Sequence, residues 1–205
     1  MVPSTKDSVT VDEIACLFEG HDIAWWVAGG LAIDAFLGWQ TREHADLDIE
    51  IYRADAELLH EIFAGWELAT VTEDSLDPWP PRVPLSDAVY AVCARRASTS
   101  AWTVEVVLAD GDDAFWRFRR ETGIVVPRDE VSRVIDAIPY GMPEVQLLYK
   151  ALRHRRKDDL DMVRCLHRLE RRQLEWLATA IERLEPSHPW IDLIAAALTR
   201  HTTGV

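Results

Sequence analysis

The chain is short of basic charge, of cysteine and of long apolar runs, and each shortage narrows what it can be. Only 22 Lys and Arg stand against 35 Asp and Glu in 205 residues, a net charge of −13. A protein that wraps duplex DNA or lies on anionic lipid needs a net basic face, so both classes are disfavoured. A cationic substrate or bound metal ions remain compatible with that balance. The three cysteines, Cys16, Cys93 and Cys165, are odd in number and far apart. They make neither a disulfide framework nor a zinc spacing, and read as three small buried residues in a reducing compartment. No apolar run approaches the roughly 18 residues of a membrane span. Residues 1–10 are polar and lack the basic-then-apolar layout of a signal peptide, so the expected location is the cytoplasm. There is no internal repeat and no low-complexity tract.

What is present is a globular composition, with 48% hydrophobic and 28% charged residues. The length suits one domain or two small ones, with a core that needs no covalent staples. The acidic excess is unevenly placed. Residues 1–142 hold 26 acidic and 11 basic side chains, a net of −15, whereas residues 143–205 hold 9 and 11, a net of +2. Such asymmetry suggests different work for the two segments.

Thr10-Val11-Asp12-Glu13 has the form of a capping box, and Ile14, Leu17 and Phe18 follow at helical spacing. The apolar run 23–28 predicts a buried strand. Gly29-Gly30 breaks it, a helix is expected over 31–37, and Gly38 ends that helix. Leu47 to Tyr52 alternates, with Leu47, Ile49 and Ile51 on one face and Asp48 and Glu50 on the other. Asp55 caps an expected helix running to Gly65, and 66–72 reads as a strand. The proline-bearing stretch 73–87 reads as a long loop, a length often tied to function. Residues 89–95 and 102–108 predict a hairpin around Ser98-Thr99-Ser100, and 115–119 a further strand. Pro143 suits the first turn of a helix over 143–155. More helix is expected over 160–169, 173–184 and 190–200.

The informative stretch is residues 29–51, GGLAIDAFLGWQTREHADLDIEI. Two glycines end a strand and open a helix, where outward-pointing amides favour phosphate and the missing side chain lets a ligand approach. Asp46 and Asp48 follow at i, i+2, which on a strand sets both carboxylates on one face. Two such groups repel unless a cation lies between them, and oxygen-only ligation suits Mg²⁺. Taken alone, the pair is more simply explained as a solvated strand face, a pattern that alternating strands show constantly.

Glycine pair, helix and Asp-x-Asp strand together resemble the signature of the DNA polymerase β-like nucleotidyltransferase superfamily. More narrowly, the stretch is similar to small antibiotic nucleotidyltransferases of the lincosamide and aminoglycoside 2″-adenylyltransferase type. The likeness extends to DPWPP (77–81), VEVVLAD (104–110) and the run from PEVQLLYKA to RKDDLD (143–161). It implies an α+β fold, a mixed polymerase β-like sheet with flanking helices over 1–142, followed by a small helical domain over 143–205. It also implies Mg²⁺, two ions at full occupancy, and ATP or another nucleoside triphosphate as donor. The nucleoside monophosphate would pass to a hydroxyl of a small, cationic, aminoglycoside-like acceptor. A monomer or homodimer is expected.

The superfamily further implies a third carboxylate on a later strand. Glu105, flanked by Val104, Val106 and Val107, is the candidate, because an unpaired charge there is costly. Asp110 is the second choice, and an outward-facing Glu105 the plain alternative. Many relatives carry Asp at this position. The triphosphate needs cations, for which Arg42, Lys150 and Arg153 are candidates beside a solvated basic helix face. Lys150 is one of only three lysines. His44 is expected to orient the loop before Asp46, and Asp34 to cap or to pair with Arg42. Trp39, Trp79 and Trp116 fall near expected loops and are candidates to stack on a base or sugar, against core packing. Many superfamily members have Gly-Ser where this chain has Gly-Gly, which leaves backbone contacts alone for phosphate at Gly29-Gly30. Two further readings keep the fold: a minimal nucleotidyltransferase acting on a protein or RNA end, of toxin–antitoxin type, and a nucleotide-binding module without catalysis.

Overall fold

The computed structural model describes residues 9–203; the polar opening at 1–8, including Lys6, lies outside the described residues. No helix among the described residues is long and apolar enough to cross a membrane.

The first helix, α1 (Val11–Phe18), starts on the expected capping box. Thr10 Oγ1 accepts from the Glu13 amide at 3.2 Å, and Glu13 Oε2 accepts from the Thr10 amide at 3.0 Å. Strand β1 (Trp25–Val27) leads directly into α2 (Gly29–Leu37), so the helix begins on the first glycine rather than after the second. Gly38, at φ 80°, closes it in the left-handed region that glycine adopts without strain. Strand β2 (Leu47–Tyr52) has the expected bounds. The expected 55–65 helix is instead a 3₁₀ turn (Arg53–Leu58) and one turn of helix, α3 (Leu59–Ile62).

Next come β3 (Trp66–Val71), β4 (Leu76–Pro78), β5 (Ala91–Arg96) and β6 (Val104–Gly111). The 73–87 stretch is thus not all loop, because β4 pairs with β3. The 115–119 strand is shorter than expected, β7 (Phe115–Arg117), and three strands follow where none was foreseen: β8 (Val125–Pro127), β9 (Ser132–Ile135) and β10 (Ile138–Gly141). Four helices complete the chain: α4 (Pro143–Arg153), α5 (Arg156–Cys165), α6 (Arg171–Leu184) and α7 (Trp190–Thr203). The expected 143–155 helix stops at Arg153, since His154 turns the chain at φ 40°.

The fold is α+β. Its strands form one mixed sheet in the order β4-β3-β5-β6-β2-β1-β10-β9, with β7 on the outer end of β6 and β8 on β7. β2 and β6 run parallel in its centre, and β5 pairs antiparallel to β6. Two cores lie on the two faces. One joins Leu47, Ile49 and Ile51 of β2 and Val104, Val106 and Leu108 of β6 to α1 and α3. The other joins Trp26, Tyr52, Trp116 and Phe118 to Val145, Leu147 and Leu148 of α4 and to the helices after it. The polar face of β2 is therefore roofed by α4 rather than bathed in solvent.

Candidate active site

The site forms where β1 gives way to α2 and where β2 and β6 lie side by side. The Ala28 amide donates to the Asp48 carbonyl at 2.8 Å, which seats the turn on β2. Gly29 has φ +60°, and a side chain there would run into the Asp48 carboxylate. A side chain at Gly30 would overlap the His44 ring and the Arg42 guanidinium. The space beside both glycines is thus filled by the protein's own side chains. The Gly29 amide donates to Gln146 Oε1 of α4 at 2.7 Å, which ties the turn to the helix above it.

The loop before β2 is wired to α2. Asp34 Oδ2 and His44 Nε2 are 2.6 Å apart, and Asp34 Oδ1 accepts from the Thr41 hydroxyl at 2.6 Å and the Thr41 amide at 3.0 Å. His44 accordingly holds the loop. Asp34 serves His44 and Thr41 rather than Arg42, whose carboxylate neighbour is Asp161 at 3.9 Å.

Asp46 precedes β2 and Asp48 lies within it, while Glu105 is paired with Asp48 in the parallel register of β6. One oxygen from each of Asp46, Asp48 and Glu105 lies within 4.8 Å of the others. Burial pushes the Asp48 carboxyl up to about 6, with the charges of Asp46 and Glu105 adding to it. Burial also raises Glu105, against the nearby Arg153 and with the help of Asp46. Cys93, opposite Glu105 on β5, is pushed to about 12, first by burial and then by these acids. Three crowded carboxylates, an oxygen-only donor set, fit a hard divalent cation such as Mg²⁺. Asp110 is not among them; it accepts from Arg53 Nε at 3.0 Å.

Asp48 and Glu105 open onto a cavity of about 880 Å³ that Gly29, Lys150, Arg153 and Arg155 also border. Lys150 Nζ is 2.9 Å from Asp161 Oδ2 and 3.7 Å from Asp158 Oδ1. Arg155 belongs to the basic run 153–159 (RHRRKDD) that the sequence offers beside Lys150. It follows the break after α4 that no glycine or proline marks. Thr72, Glu73, Asp74, Tyr90, Arg119 and Arg120 form more of the wall, and Arg120 lies 3.6 Å from Glu73.

Glu50 was missed. It is fully buried, on the same face as Asp48, and its carboxylate accepts from the Trp26 indole at 3.0 Å, the Trp116 indole at 2.9 Å and the Tyr149 hydroxyl at 2.9 Å. Burial raises its proton affinity while these donors oppose the rise. The alternating pattern places it only on the face opposite Leu47, Ile49 and Ile51. The two tryptophans it serves are its only sequence trace. Trp116 is therefore core, Trp79 is buried against His60, and Trp39 is exposed under Arg168; none of the three borders the cavity.

The sequence model of the aminoglycoside-2″-adenylyltransferase family matches residues 10–119, which include Gly29, Gly30, Asp46, Asp48 and Glu105 and end before α4. A search of the curated proteins gives no match. Among solved structures, the chain is similar to ANT(2″)-Ia in complex with adenylyl-2″-tobramycin, at 17% identity and a TM-score of 0.49, covering 93% of this chain and 96% of that one. It is also similar to the lincomycin-bound lincosamide antibiotic adenylyltransferase LnuA, at 18% identity and 0.49, covering 77% and 96%. A third is an antigenic nucleotidyltransferase-like protein from Paracoccidioides brasiliensis, at 19% identity and 0.46, covering 92% and 90%.

Proposed function

The chain belongs to the aminoglycoside-2″-adenylyltransferase family and is a nucleotidyltransferase; from that premise we propose that it moves AMP from ATP to a hydroxyl of a small, cationic, aminoglycoside-like molecule. The observation that carries this reading is the β2–β6 register, which sets Asp48 beside Glu105 on the cavity wall with an Asp46 oxygen within 4.8 Å of both.

The acceptor oxygen attacks the α-phosphorus, the bond to the bridging oxygen breaks, and pyrophosphate leaves. Glu105 receives the acceptor's proton, a task for which its raised proton affinity suits it. Asp46, Asp48 and Glu105 would hold Mg²⁺, which when bound supplies positive charge to the phosphate oxygens and to both ends of the in-line displacement. Lys150, Arg153 and Arg155 meet the triphosphate from α4 and the turn after it. Gly29 and Gly30 keep the turn close enough for Asp48 and His44 to stay in place. Glu73 and Asp74 border the cavity, and with the acidic first segment they draw a cationic acceptor. The cavity volume lies in the small-molecule range, which favours such an acceptor over a protein or RNA end.

The test is pyrophosphate release with ATP, Mg²⁺ and a panel of aminoglycosides, with lincosamides as a second panel. Release with an aminoglycoside, abolished by Asp48→Asn, is the expected result. Silence with every aminoglycoside, or activity unchanged by Asp48→Asn, overturns the reading.

A further inference from the structure

Helix α5 carries two buried carboxylates, Asp158 and Asp161, that belong to neither core and do not border the cavity. Buried carboxylates are costly unless paired; Asp158 is hydrogen-bonded, whereas Asp161 is held by ion pairs alone, neither oxygen accepting a hydrogen bond. Asp158 accepts from the Arg155 amide at 3.0 Å and from its guanidinium at 2.8 and 3.2 Å. Asp161 is met by three cations: Lys150 at 2.9 Å, Arg164 at 3.6 Å and Arg42 at 3.9 Å. Two of the four cations held this way reach the site cavity. Lys150 and Arg155 border the cavity, and Arg42 lies against Gly30.

We propose that Asp161 is a positioning residue that acts on the donor's triphosphate through Lys150. The inference rests on the reading that Lys150 meets that triphosphate. Lys150 has two sets of carboxylates within its electrostatic reach: the α5 pair behind it, and the metal-binding trio in front, where its charge acts on Asp48. A free lysine carries many rotamers and is drawn to the nearer unpaired acids. Asp161 fixes the ammonium on the helix side of the cavity. It thereby keeps the lysine off Asp48 and Glu105, leaving those oxygens for metal and the lysine for phosphate. Pre-ordering a long side chain in this way lowers the entropy lost on binding.

The experiment uses the full chain, with Mg²⁺–pyrophosphate binding by calorimetry and steady-state kinetics for ATP and acceptor. Asp161→Asn weakens pyrophosphate binding and raises the KM for ATP by roughly tenfold, with kcat within about threefold and the acceptor KM unchanged. Lys150→Met gives a similar loss, and Asp161→Asn added to it changes pyrophosphate binding by less than about twofold, because both act through one ammonium. Full additivity of the two losses, or an Asp161→Asn protein that binds pyrophosphate like the parent, overturns the inference. Pyrophosphate binding unchanged in Lys150→Met sinks the underlying reading of Lys150 instead. Where Asp161→Asn does not fold, Asp161→Glu keeps the charge on a longer arm and raises the ATP KM about threefold; an unchanged KM in that variant also overturns the inference.

Discussion

The tripeptide Asp-Leu-Asp occurs twice in this chain, at 46–48 and at 159–161, with opposite outcomes. The first copy enters β2, where i and i+2 share a face, so both carboxylates meet Glu105. The second lies on α5, where i and i+2 diverge. Asp159 goes to the Trp190 indole at 2.8 Å and to His154 at 2.9 Å, while Asp161 turns inward to Lys150. The strand copy is left electrostatically unsatisfied, and Asp48 holds its proton up to about pH 6. The helix copy is charge-compensated, at Asp161 by ion pairs with no hydrogen bond to either oxygen. Its neighbour Asp158, despite burial, is held below the usual carboxylate range by the bonds from Arg155. Unsatisfied charge marks a place for a ligand, and satisfied charge marks structure.

The same substitution in the two regions breaks the comparison most sharply. Asp48→Asn should cut nucleotidyl transfer by roughly 10³-fold or more, yet raise the metal-free melting temperature at pH 7. The sign follows from a folded pKa of about 6 against 3.8 in the unfolded chain. The ionised group opposes folding above pH 6, and that cost fades as pH falls towards 3.8, so the gain from Asn should vanish near pH 4. Asp158→Asn should do the reverse and destabilise by about 3 kcal/mol, because it leaves Arg155 and Lys150 facing an uncharged amide. With a depressed folded pKa, the Asp158 contribution persists above its unfolded pKa and is lost on acidification through the folded one. Urea unfolding at pH 4 and pH 7 reads both variants, and equal signs would remove the distinction.

A smaller effect is expected at the glycine turn. Gly29→Ala puts a methyl into Asp48 at a positive φ, and should cost about 1–3 kcal/mol with a matching fall in kcat. Mn²⁺ titration followed by electron paramagnetic resonance should show affinity falling up to about tenfold per unit below pH 6, as metal must displace the Asp48 proton. The smallest effect belongs to Arg172→Ala. Its exposed pair with Glu130, at 3.2 Å, should be worth less than about 0.5 kcal/mol and leave transfer unchanged.

Local signals in the sequence were legible, and distant ones were not. The Thr10–Glu13 box, the alternation of β2 and the proline opening α4 each reflect chemistry within a few residues. The convergence of Asp48 and Glu105 was legible because both sit second in strands of clear pattern. Strands β8 to β10 were not, because each is three or four residues long and two carry proline. Their pairing is also distant, as β10 joins β1 from the far end of the sheet region. The break at His154 has no glycine to announce it. Lys150 was legible as a rare lysine on a helix, but its partner Asp161 required knowing how α5 folds back against α4. The burial of Glu50 was not legible because alternation predicts which residues share a face, and says nothing of what covers that face.

Each glycine of the turn is the imprint of a residue further along: Gly29 of Asp48, and Gly30 of His44 and Arg42. The two positions therefore face different evolutionary constraints. Position 29 is frozen as long as an aspartate is required at 48. Position 30 is tied only to the bulk at 42 and 44, so it can accept a serine wherever those residues shrink.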